Sequence, residues 1–371
     1  MTRLLMLGAG YAHLTAAPRL AKARGQDLQI ALVAPSETLL HSGMVPGWLA
    51  GQYRFDQCAI DLGRVCRDHG IEWLRDEIVD IDFLRREAIG SGDRHPFDLL
   101  SIDVGSANDL GAIGADSPLV LGARPYANFV PTWQAWRDGA LDTARAMRML
   151  VVGGGAAAVQ IAFALVAQMR AHPSLAGSEV MLATAGERLL EGMAPAAGAL
   201  SARSLSGHGV RLFLGHRYVG AGGGHARFEG SEPLEADLVI VANGARPPDW
   251  LTACAARDGV AVAADGGLAI RSNLCSTSHA AVFAAGDCAS FVDQRVPKSG
   301  VHALRQGPVL ARNLSRPADA RERFVARRWT LALLNRCDGS AIGAWGPVGF
   351  AGRWAWNWKD RIDRRFVERF R

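Results

Sequence analysis

Two short glycine runs carry the residues in this chain best suited to chemistry. Gly8-Ala9-Gly10-Tyr11-Ala12-His13 and Gly153-Gly154-Gly155-Ala156-Ala157-Ala158 each approximate G-x-G-x-x-G. In such a loop the first glycine permits a tight turn and the second lets backbone approach a pyrophosphate. The unpaired amides at the start of the following helix then favour the negative charge. His13 and Ala158 stand where a third glycine would allow close helix–strand packing. The copies begin roughly 145 residues apart, at Gly8 and Gly153. Each follows an apolar run and precedes a helix-like one, so the pair is far more specific than either loop alone. The chemistry implied is dinucleotide binding, twice.

The elements that must position these loops read as buried parallel strands, because their apolar runs are nearly continuous. Leu4 to Leu7 predicts a strand feeding a helix over 11–24, with Pro18 removing one bond of its ladder. Leu28 to Val33 predicts a second strand, charged pieces follow over 71–89, and Phe97 to Val104 reads as another strand. The pattern then restarts: Met149 to Val152 is a strand, Ala156 to Arg170 a helix, Val180 to Ala183 and Ala236 to Ala242 further strands. Ala280 to Ala285 predicts a late strand ending in Gly286-Asp287, and 300–314 a helix. A repeated strand, glycine turn, helix and strand implies two nucleotide-binding units.

The bulk numbers agree. A chain of 371 residues suits two or three domains, and 49% hydrophobic residues suffice for a sizeable core. The 42 glycines show no collagen-like period. A net charge of +5 suits an anionic cofactor or surface, and the absence of a basic run interleaved with aromatics before the C-terminal segment argues against nucleic acid. Six cysteines without C-x-x-C spacing read as free thiols in a reducing compartment, with no zinc site and no metal expected. Neither a signal peptide nor an apolar run of membrane-spanning length is read from the sequence. The expected location is the cytoplasm.

The acid that would hold ribose hydroxyls is missing from both units. Its place falls near Ala34 in the first and near Thr184 in the second, where Arg188 lies close by and could favour a 2′-phosphate. The nicotinamide preference stays open on these residues.

Four motifs in order carry a resemblance. They are Gly8-x-Gly10, Phe97 to Ser106 (FDLLSIDVGS), the second glycine loop, and Val282-Phe283-Ala284-Ala285-Gly286-Asp287-Cys288-Ala289. Asp237 to Pro248 adds a linker motif. The chain resembles the two-dinucleotide-domain flavoproteins, the pyridine-nucleotide disulfide reductase superfamily, in the branch with type II NADH dehydrogenases and sulfide:quinone reductases. Three further stretches, Ser42 to Gly47, Pro297 to Pro308 and Gly352 to Phe366, look like the oxidoreductase often fused ahead of selenide, water dikinase, of which this would be a stand-alone version.

The resemblance implies an α/β fold with two Rossmann-like FAD/NAD(P)-binding domains of the three-layer ββα type and a small C-terminal segment. Residues 1–112 and 246–318 would form the FAD domain, 113–245 the NAD(P)-type domain, and 319–371 a cap. For FAD it implies Gly8, Gly10, His13, Ala34, Ser42, Gly43, Met44, Pro46, Ile78, Val104, Gly105, Gly286, Asp287, Gly300, Val301 and His302. Asp287 would hold the ribityl chain. For NAD(P)H it implies Gly153, Gly155, Ala158, Gln160, Thr184, Asn243 and Gly244. Gln160 stands where relatives carry a Glu close to the nicotinamide. His41 and His302, where relatives commonly have Tyr, are expected to shuttle protons beside the flavin, and Lys298 to lead into the helix that stabilises its reduced form.

The implied activity is electron transfer from NAD(P)H through FAD to a quinone or similar small acceptor. Oxidation of a reduced sulfur or selenium species, and a flavin-binding sensor with a degraded nucleotide site, stand as alternatives. The tail from Gly352 to Arg371 holds three Trp, two Phe and seven Lys/Arg against three acids. Trp354, Trp356 and Trp358 alternate as in a strand, and 359–370 reads as a helix with Ile362, Phe366, Val367 and Phe370 on one face. Such a segment suits the inner face of a membrane; a helix closing over the flavin and a homodimer contact are the competing readings.

Overall fold

The computed structural model describes residues 1–23, 27–143 and 145–371. Its first unit begins with β1 (Thr2–Leu7), α1 (Tyr11–Ala23) and β2 (Leu28–Ala34). The short α2 (Val45–Leu49), β3 (Glu72–Arg75) and β4 (Leu99–Ile102) follow. The second unit carries β5 (Leu119–Gly122), α3 (Tyr126–Thr143), β6 (Arg148–Val152), α4 (Ala156–Ala171), β7 (Glu179–Thr184), α5 (Pro195–Gly207), β8 (Arg211–Leu214) and β9 (Leu238–Val241). The chain then returns with β10 (Val282–Ala284) and α6 (Gly300–Leu314), and ends in β11 (Leu331–Asn335), β12 (Ala341–Trp345), β13 (Val348–Gly352) and α7 (Arg353–Glu368). Arg24, the last residue of the expected first helix, lies outside the described residues.

Two parallel five-stranded sheets follow one plan. The first runs β10-β4-β1-β2-β3 and the second β5-β9-β6-β7-β8. Each has its first crossover strand in the centre and reverses direction beside it, the switch point at which such sheets open a crevice for ligands. Both glycine loops leave that central strand. β10 follows the whole second unit in the chain, so the first sheet is completed by a strand distant in sequence.

The apolar runs form strands because both faces are covered. Leu4, Leu5, Met6 and Leu7 are fully buried. In the second sheet alternation splits the faces: Met149 and Val151 join the main core with α4, while Leu150 and Val152 pack with Ala226 and Phe228 of an antiparallel meander. A three-stranded meander over Ile78–Asp82, Glu87–Gly90 and Arg94–Pro96 is the first unit's counterpart. Helix, parallel sheet and meander are the three layers of the expected ββα architecture.

Two features depart from the sequence reading. Helix α3 was not anticipated, because Pro131 and Gly139 interrupt its pattern. The alternating tryptophans are not a strand: α7 begins at Arg353 and includes all three. Its buried face is Ala355, Lys359, Asp363 and Val367, spaced four apart, while Ile362 is exposed. Ile362, Val367 and Phe370 therefore do not share one face. Among the described residues no helix is long and apolar enough to cross a membrane.

Candidate functional site

At the first loop the glycines are required by the strand beside them. Gly8 has φ +82°, and a Cβ there would stand 2.5 Å from the Asp103 carbonyl oxygen. A Cβ on Gly10 would stand 2.2 Å from the Asp103 carboxylate. That carboxylate, just past β4, accepts hydrogen bonds from the Ala12 and His13 amides at 2.8 and 3.0 Å. It caps part of the N-terminus of α1. Burial, reinforced by nearby Asp287 and opposed by the two amides, pushes Asp103 up to about 7. The amides of Ala9 and Tyr11 have no partner among the described residues and remain for an incoming anion.

His13 corrects one expectation. Its ring is buried, with Nδ1 2.7 Å from the Gly8 carbonyl and Nε2 2.8 Å from Ser101 Oγ. Both nitrogens are engaged within the protein, so the ring shapes the loop and is not free to donate or accept elsewhere. Burial pushes its pKa down to about 4, and it is neutral at pH 7.

The other residues expected at FAD are placed as follows. Gly105, φ +72°, has nothing within 4 Å of where its Cβ would lie. Asp287 follows β10 and pairs with Arg124 at 2.7 Å, with Ser106 Oγ 2.6 Å from the guanidinium. Gly300 opens α6, whose cap is Ser299, and a Cβ on it would meet the Tyr11 ring at 2.8 Å. His302 is buried: Nδ1 lies 2.9 Å from Ser299 Oγ and Nε2 has no partner among the described residues. Val301 beside it is exposed. Lys298 is drawn away to Asp265, 2.9 Å from its Nζ, so it is an ion-pair partner and not a free cation. Ala34 ends β2, Val104 packs against the core beside Asp103, and Ile78 begins the first meander.

The Ser42–Pro46 stretch meets the C-terminal helix. Met44 and Pro46 are buried, the Gly43 carbonyl accepts from Lys359 Nζ at 2.7 Å, and Cys337 Sγ lies 3.6 Å from the Pro46 carbonyl. His41 is buried too, its Nε2 3.1 Å from Asp363 and its Nδ1 2.7 Å from the Tyr11 hydroxyl.

The second loop is more open. Gly153 has φ +130° and a Cβ there would stand 2.6 Å from the Ala242 carbonyl; at Gly154 it would meet Thr184 Oγ1 at 2.6 Å; at Gly155 it would meet nothing within 4 Å. Gly155 caps α4 with no side-chain bond, and the amides of Ala156, Ala157 and Ala158 find no partner among the described residues. That uncapped helix end is suited to a pyrophosphate. Ala158 is fully buried, in keeping with its place in the helix–strand contact. Asn243 and Gly244 are bound to the preceding linker, their carbonyls 2.6 and 3.3 Å from Asn108 Nδ2.

Two expected nucleotide contacts are otherwise engaged. Gln160 donates to the Ala156 carbonyl at 3.0 Å and accepts from the Asn335 amide at 2.8 Å, so it ties α4 to β11. The Arg188 guanidinium folds back onto the carbonyls of Leu189, Leu190, Glu191 and Met193 at 2.8–3.4 Å, which leaves it unsuited to a 2′-phosphate.

Tyr11, Asp103, Arg124, Lys359 and Asp363 were not assigned roles from the sequence. An acid closing an apolar strand opposite a glycine loop was the available signal for Asp103. A four-residue spacing of Lys359 and Asp363 was the signal for the other pair, once residues 353–358 are read as helix.

Two dinucleotide loops at the switch points of two like sheets, one sheet completed by a late strand ending in Gly286-Asp287, define a two-dinucleotide-domain flavoprotein. Residues 2–307 match the family described as pyridine nucleotide-disulphide oxidoreductase, and the chain belongs to it. Membership indicates FAD and NAD(P)H as cofactors, and the open amides at both helix starts fit them.

The fold is similar to the sulfide:quinone oxidoreductase of the hyperthermophilic bacterium Aquifex aeolicus, with TM-score 0.83 and 15% identity, covering 100% of this chain and 92% of that one. It is similar to NDH2 of Plasmodium falciparum in complex with NADH, with TM-score 0.82 and 11% identity, covering 99% and 97%. A NAD-dependent persulfide reductase from A. fulgidus matches at TM-score 0.74 and 19% identity over 93% of this chain and 64% of its own. Among curated proteins, Ferroptosis suppressor protein 1 of Taeniopygia guttata is 26% identical over 213 residues, covering 55% of this chain and 54% of its own. The chain thus spans about half the length of that relative in the match.

Proposed function

We propose that this protein is an FAD-dependent NAD(P)H oxidoreductase passing electrons to a quinone-type acceptor at a membrane surface. The observation that carries the reading is the pair of glycine loops with open helix amides, each at the switch point of its own sheet. In this reading residues 1–112 and 246–318 hold FAD, 113–245 hold the nicotinamide dinucleotide, and 319–371 cover the flavin loop. FAD, when bound, accepts a hydride equivalent and releases electrons one or two at a time.

The chain's own residues bind, orient and shield. Ala9 and Tyr11 amides with Gly10 receive the FAD pyrophosphate, Asp287 the ribityl chain, and Gly43 to Pro46 the ring system. Gly155 and the first turn of α4 receive the second pyrophosphate. The α6 N-terminus presents positive potential where a reduced ring would gather negative charge.

A quinone acceptor and a membrane draw support from the same helix. On α7, Trp354, Trp358 and Ile362 form an exposed stripe, flanked by exposed Arg353, Arg361 and Arg365, and Trp345 and Val348 at the neighbouring hairpin are exposed as well. Apolar and basic residues on one surface suit an anionic interface. The cysteines give sulfur chemistry no support: none is paired among the described residues, and burial pushes Cys288 up to about 12 and Cys337 up as well, away from the thiolate.

The acceptor is tested by reducing the holoprotein chemically without oxygen and mixing it with a short-chain benzoquinone. Return of the oxidised flavin spectrum within a second supports the reading; reoxidation no faster than in buffer alone contradicts it.

A further inference from the structure

The C-terminal helix α7 buries two charged residues while leaving large apolar ones exposed. Its buried face holds Lys359 and Asp363, 4% and 7% exposed, while Trp354 and Trp358 lie in solvent. Taking an ion pair out of water is costly, and apolar residues of similar size usually hold a helix as well or better. The pair is therefore poorly explained as an anchor, and its partners show what it serves. Asp363 Oδ2 binds Lys359 Nζ, which also donates to the Gly43 carbonyl at 2.7 Å. Asp363 Oδ1 lies 3.1 Å from His41 Nε2. With a carboxylate at Nε2, that nitrogen carries the proton and Nδ1 is left as acceptor. The Tyr11 hydroxyl lies 2.7 Å from Nδ1 and donates to it while the ring is neutral; when the ring carries a second proton the direction reverses, Nδ1–H donates to the Tyr11 oxygen, and the Tyr11 proton is free to leave. The Tyr11 oxygen in turn accepts from the Ser42 amide at 2.9 Å and meets Ser42 Oγ at 2.8 Å.

Packing fixes this line. The Phe366 ring lies 4.7 Å from the His41 ring and 5.6 Å from the Tyr11 ring, centroid to centroid. A Cβ on Gly43 would approach His41 Nε2 at 3.0 Å and Asp363 Oδ1 at 3.1 Å. His41, Asp363 and Lys359 are buried, whereas Tyr11 is only half-buried and directly follows the second glycine of the first loop.

We propose that Tyr11, His41 and Asp363 form a proton relay whose last member, half-buried Tyr11, delivers its hydroxyl proton to the acceptor, with Asp363 and Lys359 as positioning residues. This rests on the quinone reading above. Converting a quinone to a hydroquinone takes up two electrons and two protons. A reduced flavin, when bound, would supply both electrons and one proton. The second comes from Tyr11, whose O–H bond breaks as one forms on the acceptor oxygen. A protonated His41 passes its Nδ1 proton to the Tyr11 oxygen and becomes neutral, keeping its Nε2 proton on Asp363, and solvent later reprotonates it. Asp363 stabilises the imidazolium as a carboxylate does beside a general base.

The test compares two oxidants of the chemically reduced holoprotein: a short-chain benzoquinone, which needs protons, and ferricyanide, which takes electrons only. In Tyr11→Phe the ring packing is kept and only the hydroxyl is lost. The quinone-to-ferricyanide rate ratio is expected to fall at least tenfold. The double variant Lys359→Met/Asp363→Leu, which removes both buried charges together, is expected to lower the same ratio. An unchanged ratio in flavin-replete Tyr11→Phe overturns the relay. Side-chain ¹⁵N spectra of His41 separate this from failure of the quinone reading. A single Nε2–H tautomer in the wild type that becomes a mixture in the double variant supports the positioning role even if no quinone is reduced. A tautomer mixture in the wild type overturns it.

Discussion

Asp287 and Arg124 stand 2.7 Å apart, carboxylate to guanidinium, with the Ser106 hydroxyl within 2.6 Å of the arginine. The pair joins the late Gly286-Asp287 turn, which follows β10 of the first sheet, to the loop between β5 and α3 of the second unit. If Asp287 binds the ribityl chain, its loss removes a charge-assisted hydrogen bond from the cofactor and leaves Arg124 without its partner. Asp287→Leu is expected to purify with less than a tenth of the wild-type flavin content, measured by absorbance of the released flavin. Full occupancy would contradict the assignment.

Asp103 gives a pH signature to the first loop. In the folded protein its carboxyl titrates at about 7, above the ordinary 3.8, because burial disfavours the charge. Between those values the folded protein holds a proton that the unfolded chain has released. Its contribution to stability is therefore full below 3.8 and is lost as pH rises to about 7. Asp103→Asn keeps an acceptor for the Ala12 and His13 amides and removes the titration. Melting temperatures of the two apoproteins, compared at each pH, should show the wild type losing several degrees relative to the variant between pH 4.5 and 7.5. The depressed pKa of His13 works in the opposite sense and cancels within the comparison.

Arg188 is expected to matter for stability and little for nucleotide choice. Its guanidinium serves four loop carbonyls. Arg188→Met should change the ratio of NADPH to NADH affinity by less than threefold, measured by flavin quenching, while lowering the melting temperature by a few degrees as those carbonyls lose their donor. A tenfold shift toward NADH would show that the side chain unfolds onto a 2′-phosphate.

The stripe on α7 makes the membrane reading testable. Replacing Trp354, Trp358 and Ile362 together by Ser removes exposed apolar surface and leaves Lys359 and Asp363 in place. Cosedimentation with phosphatidylglycerol vesicles is expected to fall at least tenfold with flavin content retained. Equal cosedimentation of variant and wild type would remove the stripe from the account.

Much of the fold was legible because strand burial and glycine turns are local signals. The Leu4–Leu7 run, both loops and α6 over Gly300–Leu314 stand where periodicity placed them. The tail was misread because the tryptophans recur at every second position, which imitates a strand, while the helical spacing of Ala355, Lys359, Asp363 and Val367 carries charge where apolar residues are expected. The site was legible only in its backbone. That Gln160 would bind the Asn335 amide, that Lys298 would pair with Asp265, or that His13 would bridge Gly8 and Ser101 depends on strands brought together from distant sequence. No local pattern encodes those meetings.

The central claim is that electrons enter from a nicotinamide dinucleotide bound at the second loop. It is tested by titrating the FAD-loaded protein anaerobically with NADH and with NADPH while following the flavin absorbance near 450 nm. Stoichiometric bleaching by at least one of them, weakened at least tenfold when Gly155→Asp places a carboxylate at the uncapped start of α4, is the result the account predicts. A flavin that is fully bound yet unbleached by either nucleotide would contradict it.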